Sequence, residues 1–410
     1  MGKWSTKLLA DVCEIRPPKA EVGKRLSPSD VVSFMPMEDL GINQKYATPA
    51  RLRPLSEVTG SYTYFADGDV LLAKITPCFE NGKLGIATGL SNGVGFGSSE
   101  YVVFRPDATL APEWLYYYLS RETFRAEGAQ RMSGAVGHKR VAKEFIESYS
   151  IPVPPGDEQR RIVGILDEAF GGIGTASANA EKNLQNARSL FEAHLQSVFG
   201  QRREGWIEEP IGSVCDIKHG FAFDGADFSK NVASDKPLVI TPGNFTEDGR
   251  VLFNERNSKR FSGKPPIGYE FEVGDLVVVM TDLSSKMKIL GKPAFVDSGN
   301  ILHNQRIGRF TFSNDRINKR FLYYFMMSER FLREIKRSAT GTMVKHTAPK
   351  RILSNVISFP SDRREQSAVV ARFDAIRAET QRLEALYRQK IVGLDALRKS
   401  LLRQAFSGQL

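Results

Sequence analysis

Residues 4–15 read WSTKLLADVCEI, and residues 206–217 read WIEEPIGSVCDI. The Trp, the Val-Cys pair and the closing Ile keep their places, so the chain is written twice. Working outward, Gly68-Asp69-Val70-Leu71 recurs as Gly274-Asp275-Leu276-Val277, and Trp114-Leu115-Tyr116-Tyr117 as Phe321-Leu322-Tyr323-Tyr324. Glu158-Gln159 recurs as Glu365-Gln366, and Phe199 as Phe406. Two fused copies form a pseudo-dimer with non-identical halves. Such a molecule suits a partner of approximate two-fold symmetry whose halves also differ, and a DNA duplex carrying a split, asymmetric target meets that description.

Each copy has two textures. The stretches 1–155 and 206–360 are rich in Gly, Pro, aromatics and short apolar runs. Val70-Leu71-Leu72, Tyr101–Phe104, Leu276–Val279 and Ile307–Phe312 read as strands, fed by turns at Gly68-Asp69 and Gly274-Asp275. A helix is expected from Pro112 to about Gly128, and its counterpart from Asn318 to about Arg337. Both stretches therefore read as mixed α/β domains. The stretches 156–205 and 361–410 read as long helices, opened after Pro152, Pro154 and Pro155 and after Pro360.

Apolar or small residues in the first helix recur three and four apart, through Ile162, Leu166, Ile173, Leu184 and Leu195. The second helix repeats this with Val369, Phe373, Ile376, Leu383, Ile391, Leu394, Leu397 and Leu401. That spacing is a coiled-coil seam, so the two helices are expected to pack on each other, each spanning roughly 60 Å. Gly171, Gly172 and Gly174 predict a kink or break in the first, at about 1 kcal/mol each against Ala.

Composition narrows the function. The net charge of +10 favours a polyanionic partner. The charge is uneven, +1 over residues 1–155 and +6 over 206–360. No apolar run is long enough to span a membrane, and since Met1-Gly2-Lys3-Trp4 runs straight into the repeat, no signal peptide is expected. Three cysteines form no disulfide framework. Cys13 and Cys215 read as small core residues, and a reducing, cytoplasmic setting is expected.

Catalytic motifs are missing. There is no phosphate-binding G-x-x-x-x-G-K-[ST], no H-E-x-x-H and no paired C-x-x-C. The five histidines (138, 194, 219, 303 and 346) have no metal spacing. Lys264-Pro265-Pro266-Ile267 lacks the amide or carboxylate and the aromatic that an amino-methyltransferase tetrapeptide needs to take a flipped base. A non-enzyme is expected, with no metal site and no cofactor in this chain.

The duplicated Trp-x-x-x-x-Leu/Ile-x-x-Val-Cys-x-Ile opening and the Gly-Asp motif resemble the specificity (S) subunit of Type I restriction-modification systems. So do the Ile151-Pro152-Val153-Pro154-Pro155 exit before Glu158-Gln159 and the Leu401–Leu410 ending. The second exit, Ile357-Ser358-Phe359-Pro360, departs from the Pro-rich form, and the first helix is unusually Gly-rich. The resemblance implies two target recognition domains (1–155 and 206–360), joined by two antiparallel spacer helices (156–205 and 361–410). It implies double-stranded DNA as ligand, read as a bipartite asymmetric target. It further implies two modification subunits that methylate adenine, and translocating restriction subunits. S-adenosylmethionine, ATP and magnesium belong to those partners. The alternatives are a coiled-coil scaffold without DNA readout and a self-sufficient DNA-modifying enzyme.

Base and phosphate contacts are expected from polar and basic residues at matching loop positions of the two copies. In the first these are Lys74, Thr76, Ser98-Ser99-Glu100, His138, Lys139 and Arg140. In the second they are Asp282, Ser284-Ser285-Lys286, Lys288, Asn304, Gln305, Arg306, Lys345 and His346. The tyrosines at 116–118, 323 and 324 sit beside Leu at helical spacing and read as core.

Overall fold

The computed structural model describes residues 4–135, 137–201, 203–229 and 235–410. The opening Met1-Gly2-Lys3 lies outside the described residues. The chain divides into two compact units, one of Met1–Ala180 with Gln389–Leu410 and one of Glu181–Arg388.

In the first unit the Val-Leu-Leu run forms the strand Val70–Ala73, the middle of a five-stranded sheet between Tyr101–Pro106 and Leu84–Ala87. A second sheet orders Arg51–Pro54, Val31–Met35, Val94–Gly97 and Thr63–Ala66. The strand Ser5–Leu8 pairs antiparallel with Ser150–Val153, so the start of the domain is tied to its exit. The second unit repeats this frame. Leu276–Val279 is central, between Ile307–Thr311 and Pro293–Phe295, and Trp206–Pro210 pairs with Val356–Pro360. The register is the same in both: Leu71 faces Val103, and Val277 faces Arg309.

The Gly-Asp motif is turn chemistry joined to an ion pair. Gly68 and Gly274 hold φ of 87° and 90°, which a side chain would strain. Asp69 accepts the Ala66 N–H at 2.8 Å, and Asp275 accepts that of Glu272 at 2.8 Å. Each carboxylate also receives an arginine from the neighbouring strand: Arg105 Nε reaches Asp69 at 2.9 Å, and Arg309 Nε reaches Asp275 at 3.0 Å.

The expected single helix after each sheet is two. In the first unit α1 (Pro112–Leu119) and α2 (Glu122–Gln130) are separated by Ser120 and an extended Arg121. The second unit's pair, α4 (Lys319–Met327) and α5 (Glu329–Arg337), breaks at Ser328, whose hydroxyl accepts from Phe331 N. A serine hydroxyl competes locally with the helix ladder and starts a new helix where it stands. Trp114 and Tyr116–Tyr118 are buried, as are Phe321–Phe325.

The long helix of the first repeat, α3, is unbroken over Gly156–Phe199, and α6 likewise over Arg363–Phe406. The break expected at Gly171, Gly172 and Gly174 does not occur. These glycines face open space, Thr175 donates back to Gly171 O at 3.0 Å, and buried Ile162, Leu166 and Ala180 hold the flanking turns. Tertiary burial outweighs the few kcal/mol that glycine costs. Antiparallel pairing is visible within each unit. Arg161 of α3 reaches the Leu410 carbonyl at 2.8 Å, while Phe199 stacks on Phe373 and Arg188 pairs with Glu384.

Both helix ends enter domain cores. Ile162, Leu166, Leu402 and Ala405 join the first, and Leu195, Phe199, Val370 and Phe373 the second. Along the seam Ile173, Leu184, Val369, Ile376, Leu383, Ile391, Leu394 and Leu401 are half-buried. Leu397 is the exception at 48% exposed. It borders a shallow groove with Ala169, Gly172 and Ile173, where the small residues of α3 leave it uncovered.

Cys13 and Cys215 are buried and unpaired, and burial pushes both thiols up to about 12. Among the described residues no helix is long and apolar enough to cross a membrane.

Candidate nucleic-acid interface

In the first domain all eight singled-out residues fall in one network beside the end of the Val70–Ala73 strand. The backbone builds it. Lys74 N donates to Glu100 O at 3.0 Å, Val141 N to Lys74 O at 2.9 Å, and Thr76 N to Lys139 O at 2.9 Å. The loop at Ser98–Glu100 and the hairpin joining Met132–Ser133 to Arg140–Val141 are thereby held side by side. Side chains complete it. Lys74 Nζ donates to Ser99 O at 2.9 Å, and Arg140 Nη1 to His138 O at 3.1 Å. Ser98 Oγ accepts Glu100 N, and Thr76 Oγ1 donates to Glu80 at 3.0 Å. Burial and the nearby Arg16 pull the Lys74 pKa below its ordinary value. His138, Lys139 and Arg140 are exposed.

The second domain uses the same frame with other side chains. Met280 N donates to Arg306 O at 2.9 Å, and Thr347 N to Met280 O at 2.9 Å. Lys74, Glu100 and Arg140 thus correspond to Met280, Arg306 and His346. His346 Nδ1 meets Thr281 Oγ1 at 3.0 Å, and Lys345 lies opposite Asp282 in the short Thr281–Asp282 pairing. Lys345 Nζ donates to Gly341 O at 2.7 Å. Asn304 Oδ1 accepts from Arg306 N at 3.0 Å, and Gln305 N donates to Phe221 O. Asp282 is buried and clamps its own loop, accepting from Ser284 N at 2.8 Å and Ile289 N at 3.0 Å. That clamp carries Lys286, which is exposed. Lys288 is drawn elsewhere, to Glu247 at 2.7 Å.

Three neighbours escaped the sequence reading. Arg16 and Lys218 follow the two Val-Cys-x-Ile motifs, and that shared position was the available signal. Phe221 is 39% exposed and bridges to Asn304, with nothing in its local sequence to mark it. Among the described residues no three His, Cys, Asp or Glu side chains are grouped to hold a metal ion.

Comparison with known proteins places this frame. The Type I restriction modification DNA specificity domain (Methylase_S) matches residues 1–182. The specificity subunit of the Escherichia coli Type I restriction enzyme EcoEI is 40% identical over 196 residues, which is 48% of this chain and 32% of that one. That of Methanocaldococcus jannaschii MjaVIII is 26% identical over 313 residues, 72% of this chain and 70% of the relative. Residues 1–182 thus carry a Type I restriction modification DNA specificity domain.

The alignments to EcoEI and to EcoAI, also from Escherichia coli, span less than a third of each relative's length, 32% and 27%. The fold of a specificity subunit extends over the whole chain. A chain from a structural study of Type I restriction-modification complex assembly and conformational transition superposes with a TM-score of 0.78 at 19% identity, covering 100% of this chain and 99% of that one. The HsdS subunit from Thermoanaerobacter tengcongensis superposes with a TM-score of 0.60 at 18% identity, covering 100% and 97%.

Proposed function

We propose that this chain reads a bipartite, asymmetric sequence in double-stranded DNA and thereby directs the partner subunits of a Type I restriction-modification complex. Residues 1–155 and 206–360 act as target recognition domains, and 156–205 with 361–410 as the spacer helices. The observation that carries the reading is the shared backbone frame with unlike side chains. Lys74, Glu100 and Arg140 in one domain stand where Met280, Arg306 and His346 stand in the other. One scaffold presenting two chemistries is what two different half-sites require.

The chain's residues position and select; methyl transfer and cleavage belong to partners. Two modification subunits supply S-adenosylmethionine and methylate adenine, and restriction subunits supply ATP-driven translocation with magnesium. Lys139, Arg306, Lys286 and Lys345 contribute phosphate or base contacts, so affinity falls steeply with salt. Ser98, Ser99, Thr76, His138, Asn304, Gln305 and His346 supply shorter-range hydrogen bonds to base edges.

Methylome sequencing of a host carrying the chain with its modification subunit tests this. Adenine methylation at a two-part asymmetric motif, dependent on the chain, is the expected result. Unchanged methylation with the two proteins shown to be bound would overturn it.

A further inference from the structure

Within the first network one pair stands apart. Glu100 accepts Arg140 side-on, with Nη2–Oε1 at 2.7 Å and Nε–Oε2 at 3.0 Å. Lys74 Nζ lies 3.8 Å from the same carboxylate. The Arg140 hydrogen bonds hold the Glu100 carboxyl below its ordinary range, so it stays ionised. With Nη1 engaged by the His138 carbonyl, each guanidinium nitrogen carries one partner. Arg140 keeps two of its five N–H groups free.

The free groups are at the tip of the side chain, which is 46% exposed, while Glu100 beside it is 22% exposed. A guanidinium tied to a carboxylate is poorly suited to phosphate, because its charge is already compensated. It is well suited to a base edge, because its orientation is fixed. Arginine matches guanine O6 and N7, and a glutamate accepts from cytosine N4. At the matching position of the second domain Arg306 makes no ion pair among the described residues, and its Oδ1 partner Asn304 holds only its backbone N–H. The two domains thus differ in charge at one shared place, a carboxylate held between Arg140 and Lys74 in the first and the Arg306 cation in the second.

Resting on the function proposed above, we propose that Glu100 is a specificity-determining residue. With Arg140 it forms a preassembled donor–acceptor pair that selects a G·C base pair in one half-site. Arg140 addresses guanine, and Glu100 both orients Arg140 and offers its remaining lone pairs to cytosine. Removing the carboxylate frees Arg140 to meet a phosphate, trading discrimination for general affinity.

The experiment uses the full chain with its modification subunit. Glu100→Gln, Arg140→Gln and Arg306→Gln are compared with the unchanged chain by methylome sequencing, and by DNA binding across a salt series. Glu100→Gln should keep methylation but relax one G·C position of one half-site by about tenfold or more. Its salt slope should steepen by about one, the signature of one added phosphate contact. Arg140→Gln should relax the same position without steepening the slope, and Arg306→Gln should leave that position unchanged. An unaltered motif for both Glu100→Gln and Arg140→Gln would overturn the proposal. So would a uniform loss at every site in both variants, which is the mark of a purely structural pair. If the unchanged chain yields no two-part motif, the functional reading itself fails, and the result is distinct from either of these.

Discussion

Phe406 stands edge-on to Trp114, with ring centroids 4.5 Å apart. Trp4 meets the same indole at 5.7 Å, and Trp114 Nε1 donates to Pro152 O at 2.9 Å. The first strand, the exit strand and the last residues of the chain therefore share one aromatic core. Phe199 does the same for the second domain, edge-on to Phe321 at 5.4 Å, with Trp206 at 5.7 Å. Each long helix starts on one domain and ends in the core of the other. Phe199→Ala should cost about 3–5 kcal/mol, and the half-buried Phe406 about 2–3 kcal/mol. Hydrogen exchange should localise the loss. Phe406→Ala should loosen Pro112–Leu119 and Ser150–Val153, and Phe199→Ala should loosen Lys319–Met327. Denaturant midpoints unchanged in both variants would contradict this account of the cores.

Gln159 and Gln366 are structural twins. Gln159 accepts Ala111 N at 2.8 Å and donates to Thr109 O at 2.8 Å and Pro154 O at 2.9 Å. Gln366 accepts Asn318 N at 2.7 Å and donates to Arg316 O at 2.9 Å and Pro360 O at 2.8 Å. Each amide fastens the start of a long helix to the exit strand and to the loop before the aromatic helix. Both are fully buried. Gln→Leu at either position strands one N–H and two carbonyls, at about 1–3 kcal/mol for each group left unsatisfied. Calorimetry should find the two variants similarly destabilised. A large loss at one and none at the other would show that the halves are not held alike.

His303 makes the second domain sensitive to acid. The residue is 1% exposed, Nε2 donates to Ile307 O at 2.8 Å, and Nδ1 has no partner among the described residues. Burial lowers its pKa from 6.5 to about 4. The unfolded chain therefore takes up a proton near pH 6.5 that the folded one refuses until about pH 4. The stabilising contribution is complete above pH 6.5 and is lost as pH falls toward 4, by up to about 3 kcal/mol. Asn304-Gln305-Arg306 follow directly, so the loss reaches that loop. The stability difference between the unchanged chain and His303→Phe should shift by that amount between pH 7 and pH 4. A difference that stays constant across this range would rule the mechanism out.

The duplication was legible because its markers are core and turn positions, where Trp114, Cys13, Gly68 and their partners have few substitutes. The long helices were legible because a three-four spacing of apolar residues persists over 44 residues in each. The helix breaks at Ser120 and Ser328 were not, because each turns on a single residue, an extended Arg121 in the first and the Ser328 hydroxyl that caps Phe331 N in the second. Leu397 was misplaced in the seam because its exposure depends on Gly172 in another helix. The repeat positions grouped the loops correctly in space for the first domain, and Lys288 strayed in the second because Glu247 draws it away. The Glu100–Arg140 pair joins residues 40 apart, with no periodicity to announce it. Periodicity reports what faces a core; it is silent on which side chains meet across loops.

The helix pair sets the last prediction. α3 and α6 each run through both units without interruption. If they space two readers along a duplex, seven residues added to each lengthen the pair by about 10.5 Å, at 1.5 Å per residue. DNA rises about 3.4 Å per base pair, so the unread gap between half-sites should grow by about three base pairs. The insertion belongs in the half-buried middle, between Ala176 and Leu184 in α3 and between Leu383 and Ile391 in α6. A whole heptad there keeps every seam residue on its face. The letters of both half-sites should stay as they were, since Glu100, Arg140, Arg306 and His346 are untouched. Methylome sequencing reads gap and letters together. A longer chain that methylates the original motif at the original spacing would show that the helices do not act as the ruler.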